Sequence, residues 1–214
     1  MIKMKRNRNL AVAKILLFII YAVGVIGIGL PQTRVFFIQL TPYTLLISAF
    51  MLFMFHNIWS LRFVVIILII AGAGLFIEVL GVHTAAIFGS YSYGSALGKT
   101  LWEVPLVISV NWLILVYCSY LIAGKISQST IPKFIIAALI MVSFDLIMEP
   151  VAIKLDMWNW KGTLPPLRNY LAWFMVSFLF VFILHQVKQK IYNPIAEYLL
   201  FYLVGFFGIL NFVI

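Results

Sequence analysis

Charged residues are scarce in this chain, and acidic residues are the scarcest of them. Only 10% of the 214 residues are charged, and six Asp and Glu stand against fifteen Lys and Arg. Hydrophobic residues make up 64%, and the mean hydropathy is +1.12. Because so little polar surface cannot cover a water-soluble domain, the composition predicts an integral membrane protein surrounded by lipid. The formal charge of +9 then indicates membrane orientation, and no nucleic-acid partner is expected.

Other missing patterns exclude several kinds of chemistry. The single cysteine, Cys118, has no partner for an internal disulfide. The sequence contains no phosphate-binding glycine loop, no dinucleotide fingerprint and no His-Glu-x-x-His helix. Its histidines, His56, His83 and His185, are too far apart for metal-ligand spacing, and no Asp-Asp-x-x-Asp segment could hold magnesium diphosphate. The last apolar run lacks a lysine for a retinal Schiff base. We therefore expect neither a metal nor a cofactor, and neither a prenyltransferase nor a retinal protein.

Seven apolar runs indicate an all-α polytopic bundle of about seven transmembrane helices in a single domain, 1–214. Each run is near the roughly 20 residues that cross a bilayer. His56 and Asn57 interrupt the second run near its end. The runs lie at about 10–30, 42–59, 62–82, 104–123, 131–149, 168–186 and 195–214.

Basic residues are distributed unequally between the two sides that these spans define. The amino terminus and the even-numbered loops hold ten Lys and Arg, and the other side holds five. Because cytoplasmic loops are richer in Lys and Arg, we expect the amino terminus in the cytoplasm and the carboxyl terminus outside the cell membrane.

Five of the six acidic residues fall at the same end of the predicted spans, the outer end. They are Glu78, Glu103, Asp145, Glu149 and Asp156. A carboxylate near hydrocarbon costs several kcal/mol unless it is protonated, paired or hydrated, so such a group indicates a functional site. Asp145 and Glu149 are one helical turn apart and share a face. We predict that they are a catalytic pair with Glu78 as a further candidate, and that Pro150 ends the span at Glu149.

Each of these features also has a simpler interpretation. The tryptophans and tyrosines of the two outer connections could be an interfacial aromatic belt. Glu103 and Asp156 could be solvated charges that pair with Lys99 or Lys154. Asp145 and Glu149 could form a structural pair, which the cost of burying two carboxyl groups makes the weaker alternative.

The ordered motifs of the middle of the chain resemble the membrane carotenoid biosynthesis protein family, which includes carotenoid hydratases of bacteria and haloarchaea. The resemblance covers about residues 75–175, and its motifs are specific as an ordered set. They lie at Glu78 to Thr84, Phe88 to Tyr93, Leu97-Gly98, Val104-Pro105, Asp145 to Ala152, Trp158 to Trp160, Pro166 and Asn169 to Phe174.

This resemblance implies a cofactor-independent hydratase that adds water to the terminal double bond of an acyclic carotenoid end. Acid–base chemistry by carboxyl groups fits that reaction, because one acid can protonate the alkene while another guides water. The expected substrate is lycopene-like or γ-carotene-like, and other carotenoid biosynthesis enzymes are possible partners. A lycopene-type cyclase and a proton-coupled transporter remain alternatives. The residues expected to contact substrate or water are His83, Tyr91, Tyr93, Glu103, Trp158, Trp160, Asn169 and Trp173.

Overall fold

The computed structural model describes residues 2–162 and 164–214, with side chains from residue 9 onward in those ranges. In this part of the chain eight helices and four very short strands alternate with loops. The helices are α1 (Ile2–Gly29), α2 (Arg34–Gln39), α3 (Thr41–Met54), α4 (Leu61–Thr84), α5 (Val107–Ile126), α6 (Thr130–Lys154), α7 (Leu167–His185) and α8 (Ala196–Val213). The strands are β1 (Tyr91–Tyr93), β2 (Thr100–Leu101), β3 (Val104–Pro105) and β4 (Trp158–Trp160).

Six of these helices are long and apolar enough to cross a membrane, which confirms the predicted all-α polytopic bundle. Helix α5 lies at the centre and packs against α3, α4, α6, α7 and α8. Large apolar side chains such as Phe18, Leu68 and Phe201 are exposed on the outside of the bundle. Helices that are apolar on every side are typical of membrane spans, so these side chains face lipid.

The second predicted span is shorter than the sequence indicated. Helix α3 has 14 residues, or about 21 Å at 1.5 Å per residue, and it ends at Met54 rather than near residue 59. Just beyond its end, the His56 ring is stacked on Phe63 with the ring centroids 3.8 Å apart. Its Nδ1 shares a hydrogen bond of 2.8 Å with the Tyr117 hydroxyl. Burial lowers the pKa of His56, which favours the neutral ring in this apolar contact.

The prediction that Pro150 ends the fifth span at Glu149 was wrong. Helix α6 continues through Pro150 to Lys154. A proline inside a helix removes one N–H donor, but Val151 and Ala152 are completely buried against the rest of the bundle. Tertiary packing therefore holds the last turn in helical form, and Asp145 and Glu149 lie on one continuous helix.

The connections between the helices group at two ends of the bundle. At one end the 85–106 and 155–166 connections are joined because β1 pairs with β4. At the other end the Asn57 amide donates to the Lys190 carbonyl at 2.9 Å, and Lys125 forms an ion pair with Glu197. Successive connections therefore alternate between the two ends, as expected for a chain that crosses the membrane seven times.

Single cysteines in a Cys118→Ala background test this arrangement. Ser95 and Asn159 are exposed at the end that holds β1 and β4, and Ser129 is exposed at the opposite end. Since the positive-inside rule places the first end outside, a membrane-impermeant thiol reagent added to intact spheroplasts should label Ser95→Cys and Asn159→Cys but not Ser129→Cys. The reverse labelling would invert the orientation, and unequal labelling of the first two would contradict the shared end.

Candidate active site

A two-stranded ribbon brings the 85–106 and 155–166 connections together. Strands β1 and β4 are antiparallel, with Tyr91 opposite Trp160 and Tyr93 opposite Trp158. Because side chains alternate between the faces of a strand, the four aromatic rings lie on one face and Ser92 lies on the other. The face that carries Ser92 is exposed, and the aromatic face is buried or half-buried. We call these residues, 91–93 and 158–160, the aromatic ribbon.

A glycine allows the two connections to approach at the end of the ribbon. The Gly94 N–H donates to the Met157 carbonyl at 3.0 Å. A Cβ at Gly94 would collide with the backbone carbonyl and the carboxyl group of Asp156. Only glycine lacks that atom, so Gly94 fixes where the ribbon lies over the helices.

The two tyrosines of the ribbon hydrogen-bond to Glu78 on α4. The Tyr91 and Tyr93 hydroxyls donate to Oε2 of Glu78 at 2.5 and 2.8 Å. Trp112 on α5 donates its indole N–H to Oε1 at 2.9 Å. Burial, reinforced by the negative charge of Glu78, raises the pKa of both tyrosines well above the usual range. Both hydroxyls therefore keep their protons and act as donors.

The two tryptophans of the ribbon hydrogen-bond to Glu149 on α6. The indole N–H groups of Trp158 and Trp160 both donate to Oε2 of Glu149 at 3.0 Å. Asn169, in the first turn of α7, donates to Oε1 of Glu149 at 3.4 Å and to Oδ2 of Asp145 at 2.8 Å. Asn169 thus bridges the two carboxyl groups of α6.

Asp145 is the least satisfied of the three carboxyl groups. It is fully buried, and its Oδ1 has no hydrogen-bond partner in the described part of the chain. Its Oδ2 accepts only from Asn169, whereas Glu78 and Glu149 each accept from three donors. A neutral carboxyl group needs fewer donors than an ionised one, so the geometry favours the proton on Asp145.

All three carboxyl groups line one small buried cavity, which we call the carboxylate cavity. Its volume is about 30 Å³, which is room for about one or two water molecules. Trp112 and Trp173 stack in its wall with ring centroids 4.4 Å apart. Its lining residues are Glu78, Phe88, Tyr91, Tyr93, Ile108, Asn111, Trp112, Asp145, Met148, Glu149, Trp158, Trp160, Asn169 and Trp173.

The cavity collects nine of the eleven residues that the sequence predicted for the site. The other two, His83 and Glu103, lie outside its lining and are exposed. Their closest approach is 3.9 Å, from Nδ1 of His83 to Oε2 of Glu103. Asp156 is also exposed and accepts a hydrogen bond from Asn159, as expected for a solvated loop charge.

Five residues of the lining were not predicted from the sequence, namely Phe88, Ile108, Asn111, Trp112 and Met148. Trp112 could have been found, because a buried indole N–H in an apolar helix needs an acceptor. Asn111 beside it is a polar residue in the same apolar run. Ile108 and Met148 carry no such signal, since apolar residues fill every span. In the described residues, no group of three or more His, Cys, Asp or Glu is arranged to hold a metal ion.

Comparison with known proteins identifies relatives of most of the chain. The sequence model of a family described as carotenoid biosynthesis protein matches residues 39–213. A curated relative, the bisanhydrobacterioruberin hydratase of Haloarcula japonica, is 28% identical over 109 residues. The matched region covers 46% of this chain and 36% of that protein, so the chain spans about a third of the relative's length. No solved structure matches the chain.

Replacing a tyrosine of the ribbon tests the hydrogen bonds to Glu78. Tyr91→Phe and Tyr93→Phe each remove one donor to a buried carboxyl group, which should cost about 1–3 kcal/mol. In a chain of this size we expect the apparent midpoint of thermal unfolding to fall by about 2–10 °C in detergent solution. Tyr43→Phe is the matched control, because Tyr43 is exposed. Midpoints no lower than that of the control would contradict the assigned bonds.

Proposed function

The chain belongs to the carotenoid biosynthesis protein family, and on that premise we propose that it hydrates the terminal carbon–carbon double bond of an acyclic carotenoid end group. The product is a tertiary alcohol. The observation that carries the proposal is the pair Asp145 and Glu149, buried side by side and bridged by Asn169 in a cavity with room for water. The printed name of the Haloarcula japonica relative is that of a hydratase, which supports the same reaction class.

The reaction needs one proton donor and one proton acceptor. In the first step a carboxylic acid protonates the less substituted carbon of the alkene and leaves a cation on the tertiary carbon. In the second step a water oxygen bonds to that carbon, and a carboxylate takes the water proton. One proton is given and one is taken, so the enzyme recovers its starting state when a proton passes back between the two groups. A pair of carboxyl groups therefore suffices, without a redox partner.

The hydrogen-bond donors favour different roles for the two groups. Glu149 accepts from Trp158, Trp160 and Asn169, and such donors stabilise the ionised form. We therefore assign Glu149 as the base and Asp145, which accepts from a single donor, as the acid. Such a pair titrates as a unit, so the assignment describes the proton's preferred position.

Charge balance in the cavity supports a proton among these groups. Three carboxyl groups line the cavity, and its lining contains no Lys, Arg or His. Three ionised carboxylates together without a cation would carry a large electrostatic cost in an apolar surrounding. We infer that at least one of them holds a proton, as an acid catalyst requires. Glu78, with three donors, is assigned as an anion that stabilises the cation.

The aromatic walls suit the cationic intermediate. The stacked rings of Trp112 and Trp173, and the ring of Trp158, face the cavity. An aromatic face attracts a cation through the ring quadrupole, by about 2 kcal/mol or more when water is excluded. The same walls exclude bulk water, which limits the nucleophile to a molecule held in the cavity. His83 and Glu103 are not part of this proposed site.

The expected substrate is lycopene-like or γ-carotene-like, and we place the site in the outer leaflet of the cell membrane. The orientation rests on the distribution of basic residues. Membrane lipid surrounds the bundle in this proposal, and we assign no cofactor. Other carotenoid biosynthesis enzymes could act on the same substrate.

The mass and isotopic content of the product test the reaction type. In cells that make lycopene, each modified end should gain the mass of one water, with its oxygen from labelled water. Label from dioxygen would indicate a hydroxylase. A product of unchanged mass but altered chromatography would indicate the cyclase, in which an internal double bond attacks the same cation. Unmodified pigment at normal protein abundance would contradict the proposal.

Isosteric variants test the catalytic pair. Asp145→Asn and Glu149→Gln keep the size of each side chain but remove its acid–base function, so each should lower pigment conversion by about 100-fold or more. Glu197→Gln is the matched control, because Glu197 lies at the opposite end of the bundle in an ion pair with Lys125. Near-normal conversion by both site variants at equal membrane abundance would contradict the assignment. Loss of the protein itself would support the structural-pair alternative.

A further inference from the structure

A second, larger cavity adjoins the carboxylate cavity, and we call it the apolar chamber. Its volume is about 220 Å³. Helices α1, α3 and α8 form most of its wall, and residues of α2, α5, α6, β4 and the intervening loops complete it. Its lining is almost entirely aliphatic and aromatic and contains no charged residue. The buried hydrogen bond of 2.9 Å between the Tyr21 and Ser48 hydroxyls joins α1 to α3 beside it.

The two cavities share part of their walls. Ile108, Asn111, Met148 and Trp158 line both of them. Trp158 is the residue whose indole N–H donates to Glu149. A molecule in the apolar chamber would therefore lie next to the carboxylate cavity, and we call the four shared side chains the neck.

Asn111 is the polar member of the neck. It is 8% exposed, and its side-chain amide makes no hydrogen bond within the described residues. Its amide is not among the fully buried groups without a partner, and Asn111 lines both cavities, so the amide can hydrogen-bond a bound polar atom or a water molecule there. Asn111 lies where a water oxygen or a new hydroxyl group would meet the end of an apolar ligand.

The two cavities differ in volume, and the difference determines what each of them can hold. The carboxylate cavity, at about 30 Å³, has no room for a whole branched five-carbon end group, so only the reacting carbons of the double bond can reach the carboxyl groups. The apolar chamber, at about 220 Å³, is larger than the apolar cavity of about 150 Å³ that admits benzene in an engineered protein. Apolar cavities of that kind exclude water and bind hydrocarbon.

We propose that the apolar chamber binds the open-chain end group of the isoprenoid substrate, and that its terminal double bond meets acid and water at the neck. This proposal rests on the proposed function and names the subsite of its substrate. Helices α4 to α7 then supply the chemistry, while α1, α3 and α8 supply most of the binding wall. The α1 part of this wall precedes residue 39, where the family match begins.

A substitution at Gly24 on α1 would fill the chamber. Gly24 lines it, and a Cβ there would lie 3.1 Å from Cε2 of Phe206. Gly24→Leu should therefore displace the end group. Gly72→Leu is the matched control, because Gly72 is an exposed helical glycine with no atom within 4 Å of an added Cβ. Thr44→Phe obstructs the chamber from α3, on another wall.

Binding can be measured apart from conversion. Each substitution is placed in a Glu149→Gln background, purified in lipid nanodiscs and loaded with lycopene, and the pigment retained per protein after gel filtration is measured in excess of the pigment that protein-free nanodiscs of the same lipid retain. We expect Glu149→Gln alone and with Gly72→Leu to retain lycopene equally, and Gly24→Leu and Thr44→Phe each to lower retention by about 10-fold. An unchanged circular dichroism spectrum and thermal midpoint show which variants are folded, so either obstructing variant suffices.

The outcomes separate this proposal from the proposed function. Normal lycopene retention by a folded obstructing variant would overturn the chamber assignment, even if the wild-type protein hydrates lycopene. Loss of retention in the obstructing variants, together with no hydration by the wild type, would support the chamber and contradict the hydratase. In the otherwise wild-type chain, Gly24→Leu should lower conversion and Gly72→Leu should not.

Discussion

The burial of three carboxyl groups in a cavity without a cationic lining residue is the constraint on which the β1–β4 end of the bundle depends. Each group needs donors that water would otherwise supply. The donors come from β1, β4, α5 and α7, which are far apart in the sequence. These donors reach α4 and α6 through three features of the fold. They are the pairing of β1 with β4, the close approach at Gly94 and the position of Asn169 in the first turn of α7. Trp112 and Asn169 are the sole donors to the oxygens that they contact, so removing either would leave a buried oxygen unsatisfied.

The sequence predicted most of this site because helical and strand periods are local. The spacing of Asp145 and Glu149 placed both on one face of a helix, and that face forms the cavity. The pairing of Tyr91 with Trp160 could not be predicted, because it joins two connections about seventy residues apart and no local pattern sets its register. The Tyr-Ser-Tyr and Trp-Asn-Trp alternation was nevertheless a strand signal. The predicted end of α6 at Glu149 was wrong because tertiary packing outweighs the local tendency of Pro150 to end a helix.

His83 is close to Glu78 in the sequence but does not belong to the site, and helix geometry explains why. It follows Glu78 by five residues on α4, and at about 100° per residue the two side chains point about 140° apart around the helix. Glu78 faces the bundle, so His83 must face outward, and the structure has it exposed. Glu103 is carried outward by a tight turn between β2 and β3, where Trp102 and Glu103 both have positive φ.

Water addition and cyclisation begin with the same protonated alkene, so the carboxyl groups alone do not choose between them. The choice depends on what lies nearest the tertiary cation. Intramolecular attack requires the end group to fold back on itself, and folding needs width beside the acid. The cavity at the carboxyl groups is about 30 Å³, enough for water but not for a folded chain. The apolar chamber is wider, so the hydratase proposal requires that only the terminal carbons pass the neck to the acid, where water in the carboxylate cavity is the nearest nucleophile.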